Sequence, residues 1–352
     1  MTHPLSLELE ATLQYWQNFA PCLGANVAIY DARHGYWDSA SGYAEPNSEE
    51  KLASGECFYI YSITKTFTAV VVMRLIEEGL ISLDDAICEH FPETALADNI
   101  SIRHLLNHTS GVPNYTELAG YAQAVLSSPS QPWSFEKLID LTLQGEMDFP
   151  AGEKWHYSNT GYMLLLLLIE KVTGESYGQC IDRYIIDQIG LRHTFVAQDI
   201  DKSKLTRGYS RDTNTEQLLE DITGDYNPWW CKTGLIASTA MDVTRFYQAL
   251  FTSNLVSKES LALMTDAIPI NQYAGPHFIK PSYGLGLMID PQCDFGGSYG
   301  HGGDGPGFNS WSAYYPDFYG RAVIITILCN TSMNGHPLFL VKDLLRSLKN
   351  NK

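Results

Sequence analysis

Strand-like alternation sits at the two ends of this 352-residue chain, and helical periodicity fills the middle. Residues 25–30 and 36–41 alternate about a turn at 33–35. Residues 283–289, 310–315 and 322–329 read the same way near the other end, and a short strand is expected at 234–237. Helices are expected over 5–20, 62–79, 102–107, 135–143, 162–173, 177–189, 241–250 and 338–348, with Pro-, Gly- and Asn-rich loops between them. Half-buried strands need partners, and a single sheet built from both ends is the simplest way to supply them. The expected fold is α/β plus all-α: an antiparallel sheet flanked by helices, built from both termini, with a large helical insertion. Residues 1–61 and 230–352 would form the sheet part and 62–229 the mostly helical part, with the active site between them.

Composition narrows the function classes. Hydrophobic residues make up 45% and charged residues 18%, enough apolar material for a large core, which sets disorder aside. The net charge of −17 repels phosphate backbones and anionic lipid heads, so the expected partner is a small molecule or short peptide and not nucleic acid. Seven scattered cysteines with no CxxC spacing read as reduced, packed thiols, not as a disulfide framework or a zinc site. The first residues carry neither a basic nor an apolar leader region, which points to the cytoplasm; a trimmed leader would instead imply a periplasmic or secreted protein. The longest apolar run, 163–169, is far shorter than the ~20 residues a membrane span requires.

Three Ser-x-x-Lys patterns occur, beginning at Ser48, Ser62 and Ser134. Ser48 lies in a polar loop, and Ser134 begins a helix where its hydroxyl serves as an N-cap. Ser62 begins a long apolar helix, so Lys65 falls on the same face one turn later. A serine needs a base to become nucleophilic near neutral pH. Lysine can serve if burial and positive neighbours favour its neutral form by about 4 kcal/mol. Spacing alone leaves this reading level with a second helix cap.

Other patterns carry less. Gly296-Gly297-Ser298-Tyr299-Gly300 matches a nucleophile elbow, but the residues after it cannot form the helix that an elbow needs, so a glycine-rich turn is expected. Lys232-Thr233-Gly234 resembles a third motif known beside SxxK, yet it falls early, just after the helical stretch. His104 and His108 share a helical spacing without the glutamate of a zinc-protease motif, so a structural role and no metal are expected.

Tyr157-Ser158-Asn159 is the one Tyr-x-Asn of the chain, and His301-Gly302-Gly303 the one His-x-Gly. With Ser62 and Lys65 they form an ordered triplet that resembles the serine β-lactamase and penicillin-binding superfamily. The likeness is to its class C-like branch of β-lactamases, D-Ala-D-Ala carboxypeptidases, D-aminopeptidases and esterases. Residues 61–85, 100–115, 149–174 and 234–246 look like family segments in family order, and the likeness spans roughly 20–345.

That resemblance implies a β-lactamase/transpeptidase-like fold and a serine hydrolase working through an acyl-serine intermediate, with no metal or cofactor. Substrates would be D-amino-acid peptides or amides, β-lactams or small esters; a carboxylesterase, or a non-catalytic penicillin-binding-like protein, is the alternative. Ser62 would be the nucleophile, Lys65 its base, and Tyr157 the relay of the proton to the leaving group. Asn159 would bond Lys65 or a substrate amide. His301 would stand at the edge of the site near Tyr157, only partly charged at neutral pH. The backbone N–H groups of Ser62 and Asp304, the residue after Gly303, would form the oxyanion hole, each donor worth about 3–4 kcal/mol. The resemblance also moves the third motif to His301–Gly303 and sets Lys232 aside. A histidine there and a carboxyl at Asp304 disfavour a substrate carboxylate.

Overall fold

A computed structural model describes residues 4–349 of the chain, apart from residues 21, 93, 95, 97, 198–204, 212–217, 253–254 and 333–335. Helix α1 (Ser6–Gln17) leads into the hairpin β1 (Gly24–Asp31) and β2 (Gly35–Gly42). Helix α2 (Thr64–Glu77) opens the helical stretch, whose other principal helices are α3 (Ile102–Leu106), α4 (Phe135–Leu143) and α5 (Asn159–Thr173). Helices α6 (Ala240–Thr252) and α7 (Lys258–Thr265) return the chain to the sheet. There β3 (Ile268–Pro269), β4 (Ser282–Tyr283), β5 (Met288–Asp290), β6 (Ser298–Gly305), β7 (Phe308–Tyr315) and β8 (Val323–Cys329) follow, and α8 (His336–Lys349) closes the described chain.

The eight strands pair antiparallel in the order β2-β1-β8-β7-β6-β5-β4-β3. The two ends of the chain do meet: β1 lies against β8 with Ala25 opposite Cys329 and Asp31 opposite Val323. Because side chains alternate across a strand, β8 serves two cores at once. Val323, Ile325 and Ile327 pack with α1 and α8 on one face through Leu9, Leu13, Leu344 and Leu348. Ile324 and Leu328 point the other way, toward α6, α2 and α5. Between them Thr326 is buried, its hydroxyl 2.8 Å from both Thr244 of α6 and Ser312 of β7. A polar group at that depth is tolerated because its hydrogen bonds are made.

Two local expectations are corrected. The single strand expected over 283–289 is a tight hairpin, β4 and β5, with Met288 opposite Tyr283. Gly286 turns it at a positive φ of 73°, a conformation that costs glycine little. The helix expected from Ser62 starts two residues later. Tyr61–Ile63 form a separate 3-10 turn, and Tyr61 takes a left-handed φ of 43°. Elsewhere Ser134 caps α4 by accepting the Lys137 N–H, and Ser48 accepts a backbone N–H within its loop.

Candidate active site

The turn that carries Ser62 is clamped to the sheet. Tyr61, fully buried, donates to the carbonyl of Pro306 at 2.5 Å, and Ser310 of β7 donates to the carbonyl of Ile60 at 3.1 Å. Strand β6 runs so close that a Cβ on Gly303 would lie 2.0 Å from the Ile60 oxygen. Contact at that distance is repulsive, so glycine sets the spacing between β6 and the turn that carries Ser62. A left-handed tyrosine is held here by what surrounds it.

Lys65, at the second position of α2, has no exposed surface, while Ser62 is partly exposed to a cavity of about 420 Å³. Lys65 Nζ lies 3.1 Å from Ser62 Oγ, 2.7 Å from Asn159 Oδ1 and 3.1 Å from Thr233 Oγ1. Thr233 Oγ1 itself donates to Asn159 Oδ1 at 2.9 Å. The Asn159 amide is oriented by its Nδ2, which donates to Asn114 Oδ1 at 3.2 Å, so its oxygen faces the lysine. With both Asn159 lone pairs taken and the Thr233 proton spent, these two groups can only accept from Lys65. A neutral amine has two N–H groups. Both are used here, and the lone pair is left to face Ser62 Oγ.

Burial supplies the neutral amine. It brings Lys65 down to about 7 from the usual value above 10, with a small opposing contribution from Cys231. No positive neighbour is responsible. His108 and His301 are both buried and held below the ordinary histidine range, chiefly by desolvation and then by Lys65. Tyr157 is pushed up by burial, with a hydrogen-bonding contribution from Ser62 pulling the other way, so it stands as a phenol. Its ring lies 4.8 Å from Lys65 Nζ.

Ser62, Tyr157, Asn159, His301, Gly303 and Asp304 all line the cavity above Lys65. His301 lines the cavity with its ring 6.3 Å from that of Tyr157, but it lacks the partial charge expected of it. It has no exposed surface, is drawn down to about 3, and exchanges a hydrogen bond of 2.9 Å between Nε2 and the Tyr283 hydroxyl. Asp304 is exposed, with Asn309 donating to it at 3.0 Å. Ser298 lies in β6 opposite Asp290, and it is absent from the cavity wall. Lys232 turns away onto the rings of Phe135 and Trp229, at 4.6 and 5.3 Å.

Two site residues escaped the sequence reading. Thr233 belongs to the motif set aside with Lys232, yet its hydroxyl touches both Lys65 and Asn159. His108 packs 4.3 Å from the Tyr157 ring, accepts the Ser158 N–H at Nδ1 and receives the His156 N–H at its carbonyl, which brackets Tyr157 on both sides. A left-handed φ of 63° at His108 is a local signal of that constraint, one visible only in the folded backbone.

The family description "Beta-lactamase" matches residues 17–346. The chain belongs to the beta-lactamase family. Among curated relatives it is similar to penicillin-binding protein 4* of Bacillus subtilis, 29% identical over 296 residues, which are 78% of this chain and 62% of that protein. The chain therefore spans under two thirds of that relative's length. It is also similar to the putative penicillin-binding protein PbpX of the same organism, 26% identical over 88% of this chain and 71% of that one. Among solved structures, a D-stereospecific amidohydrolase from Streptomyces sp. superposes with a TM-score of 0.81 at 29% identity, covering 96% of this chain and 97% of that one. The D-amino acid amidase of Ochrobactrum anthropi SV3, solved with D-phenylalanine, shares the fold with a TM-score of 0.84 at 22% identity, over 98% and 100% of the two chains. Beta-lactamase family membership places the chain in the beta-lactamase-like serine hydrolase superfamily. Among the described residues no helix is long and apolar enough to cross a membrane.

Proposed function

We propose that the chain is a serine hydrolase that cleaves amides or esters of D-amino acids through an acyl-Ser62 intermediate. The observation that carries this reading is the buried Lys65, whose Nζ lies 3.1 Å from Ser62 Oγ while Asn159 and Thr233 accept from it. In the first step the Ser62 Oγ proton passes to Lys65 Nζ as Oγ bonds to the substrate carbonyl carbon. The oxyanion then collapses, the carbonyl–leaving-group bond breaks, and the departing amine or alcohol takes a proton relayed from Lys65 through the Tyr157 hydroxyl. Water then attacks the acyl-serine with the same base, releasing the acid and restoring Ser62. The backbone N–H groups of Ser62 and Asp304 are assigned to the oxyanion.

Amides and esters are favoured over β-lactams or peptides with a free carboxylate by the charge of the cavity. Among the described residues its lining holds no lysine or arginine, His301 is held neutral, and Asp304 supplies a carboxylate. A substrate ammonium is drawn to such a wall and a carboxylate repelled from it. The similarity to a D-stereospecific amidohydrolase supports the D configuration.

The test is a hydrolysis panel of D- and L-amino-acid amides, D-Ala-D-Ala peptides, nitrocefin and short-chain esters, run on the wild type and Ser62→Ala. Ser62-dependent release from D-amides or D-esters supports the reading. Full activity of Ser62→Ala overturns the mechanism, and turnover of nitrocefin above every amide overturns the substrate class.

A further inference from the structure

A second cavity, of about 410 Å³, opens beside the first and shares Tyr157, Phe278 and Met288 with it. Its remaining wall includes Trp155, Ile270 and Tyr273, and among the described residues no Asp, Glu, Lys, Arg or His lines it. The Trp155 and Tyr273 rings meet edge to face at 5.2 Å, and Tyr273, half exposed, stands at the mouth. The Tyr283 hydroxyl is spent on His301, which leaves little polarity facing inward. An engineered cavity of about 150 Å³ already takes up benzene, so this one holds an aromatic ring with room to spare.

Of the three shared residues, Tyr157 bears on which part of a substrate enters. Tyr157, the group assigned to hand a proton to the leaving amine or alcohol, forms the partition between the cavities, whereas Ser62, Asn159 and Asp304 line only the first. We propose that this second cavity is a subsite for an uncharged aromatic or branched aliphatic leaving group. The assignment rests on the hydrolase reading above. It makes the preferred substrate a D-aminoacyl amide or ester whose amine or alcohol portion is apolar, with the small acyl portion near Asp304.

The test compares D-alanine methyl ester with D-alanine benzyl ester, whose leaving alcohols differ little in intrinsic reactivity and whose acyl-enzymes are identical. Wild type, Ile270→Trp, Tyr273→Ala and Ser62→Ala are assayed by release of D-alanine, each rate divided by that of alkaline hydrolysis. The benzyl ester is expected to show a kcat/KM at least about 10-fold above the methyl ester. Because both form the same acyl-enzyme, the two kcat values converge wherever deacylation limits, and the preference resides in acylation. Ile270→Trp fills the cavity and Tyr273→Ala opens its wall, so each brings the benzyl-to-methyl ratio toward one. Should Ile270→Trp fail to fold, Tyr273→Ala alone carries the comparison.

A wild-type ratio near one, or one that both folded variants leave intact, overturns the subsite while Ser62-dependent hydrolysis keeps the hydrolase reading. Absence of hydrolysis above Ser62→Ala on both esters overturns the hydrolase reading itself. D-alanine choline ester is the third probe. If its fixed positive charge makes it the best substrate, the aromatic wall is a cation cage and the apolar assignment fails.

Discussion

Lys65 Nζ is nearer to Asn159 Oδ1, at 2.7 Å, than to Ser62 Oγ, at 3.1 Å. The amine is thus anchored by a group that can only accept, and the serine is met by what the anchor leaves over. A protonated Lys65 would turn a third N–H toward Ser62 and offer no lone pair. Activity on an ester should therefore rise with pH through about 7 as Lys65 loses its proton, and log kcat/KM should fall with unit slope below that point. A pH profile with no acid limb within about one unit of 7 would remove lysine from the role of base.

A histidine is the usual source of such a limb, and the structure distinguishes the two. His301 is held neutral down to about 3, so its titration lies well below the working range. His301→Gln should lower kcat/KM while leaving the acid limb where it was. Loss of the limb in that variant would transfer the titration to His301.

Thr233 closes the network by accepting from Lys65 and donating to Asn159. Thr233→Val removes both bonds at nearly constant volume. It should cost about 1–3 kcal/mol, or roughly 10- to 100-fold in kcat/KM, and shift the acid limb, whereas Thr233→Ser should restore both. A purely structural threonine would change the melting temperature and leave the limb unmoved.

These residues also show what could and could not be read in the chain. Ser62 and Lys65 are three apart, and Tyr157 and Asn159 two apart, so each pair carries its own spacing wherever the pair ends up in space. Thr233 sits in a recognisable pattern, Lys232–Gly234, but the pattern does not say that its hydroxyl meets Lys65. It reaches Lys65 because the short strand Ile236–Ser238 pairs with Phe58–Tyr59, Ala237 opposite Tyr59, just before the nucleophile turn. That register joins segments about 180 residues apart, and no periodicity announces it. The joining of the two chain ends in one sheet was legible from the alternation at both ends. The burial of His301 was not, because strand β6 reads as a glycine-rich polar run and is buried only by its neighbours.

Gly303 offers a steric test of the clamp. Gly303→Ala places a methyl group 2.0 Å from the Ile60 carbonyl oxygen, which forces β6 and the Ser62 turn apart. The variant should lose about 1–3 kcal/mol of stability by denaturant titration and far more activity than that loss explains, at least ~100-fold in kcat/KM. Equal activity in a folded Gly303→Ala protein would show that the spacing between strand and nucleophile is not critical.

The pairing of β1 with β8 sets the order in which the protein becomes competent during synthesis. Ser62 and Lys65 emerge from the ribosome early, but the strand carrying His301 and Gly303, and the Ser310 hydroxyl that fixes the nucleophile turn, follow some 240 residues later. At about 5–20 residues per second the reactive serine exists for many seconds without the structure that arms it. Under the proposed mechanism, until that strand arrives the nascent chain carries a Ser62 hydroxyl that no substrate can acylate.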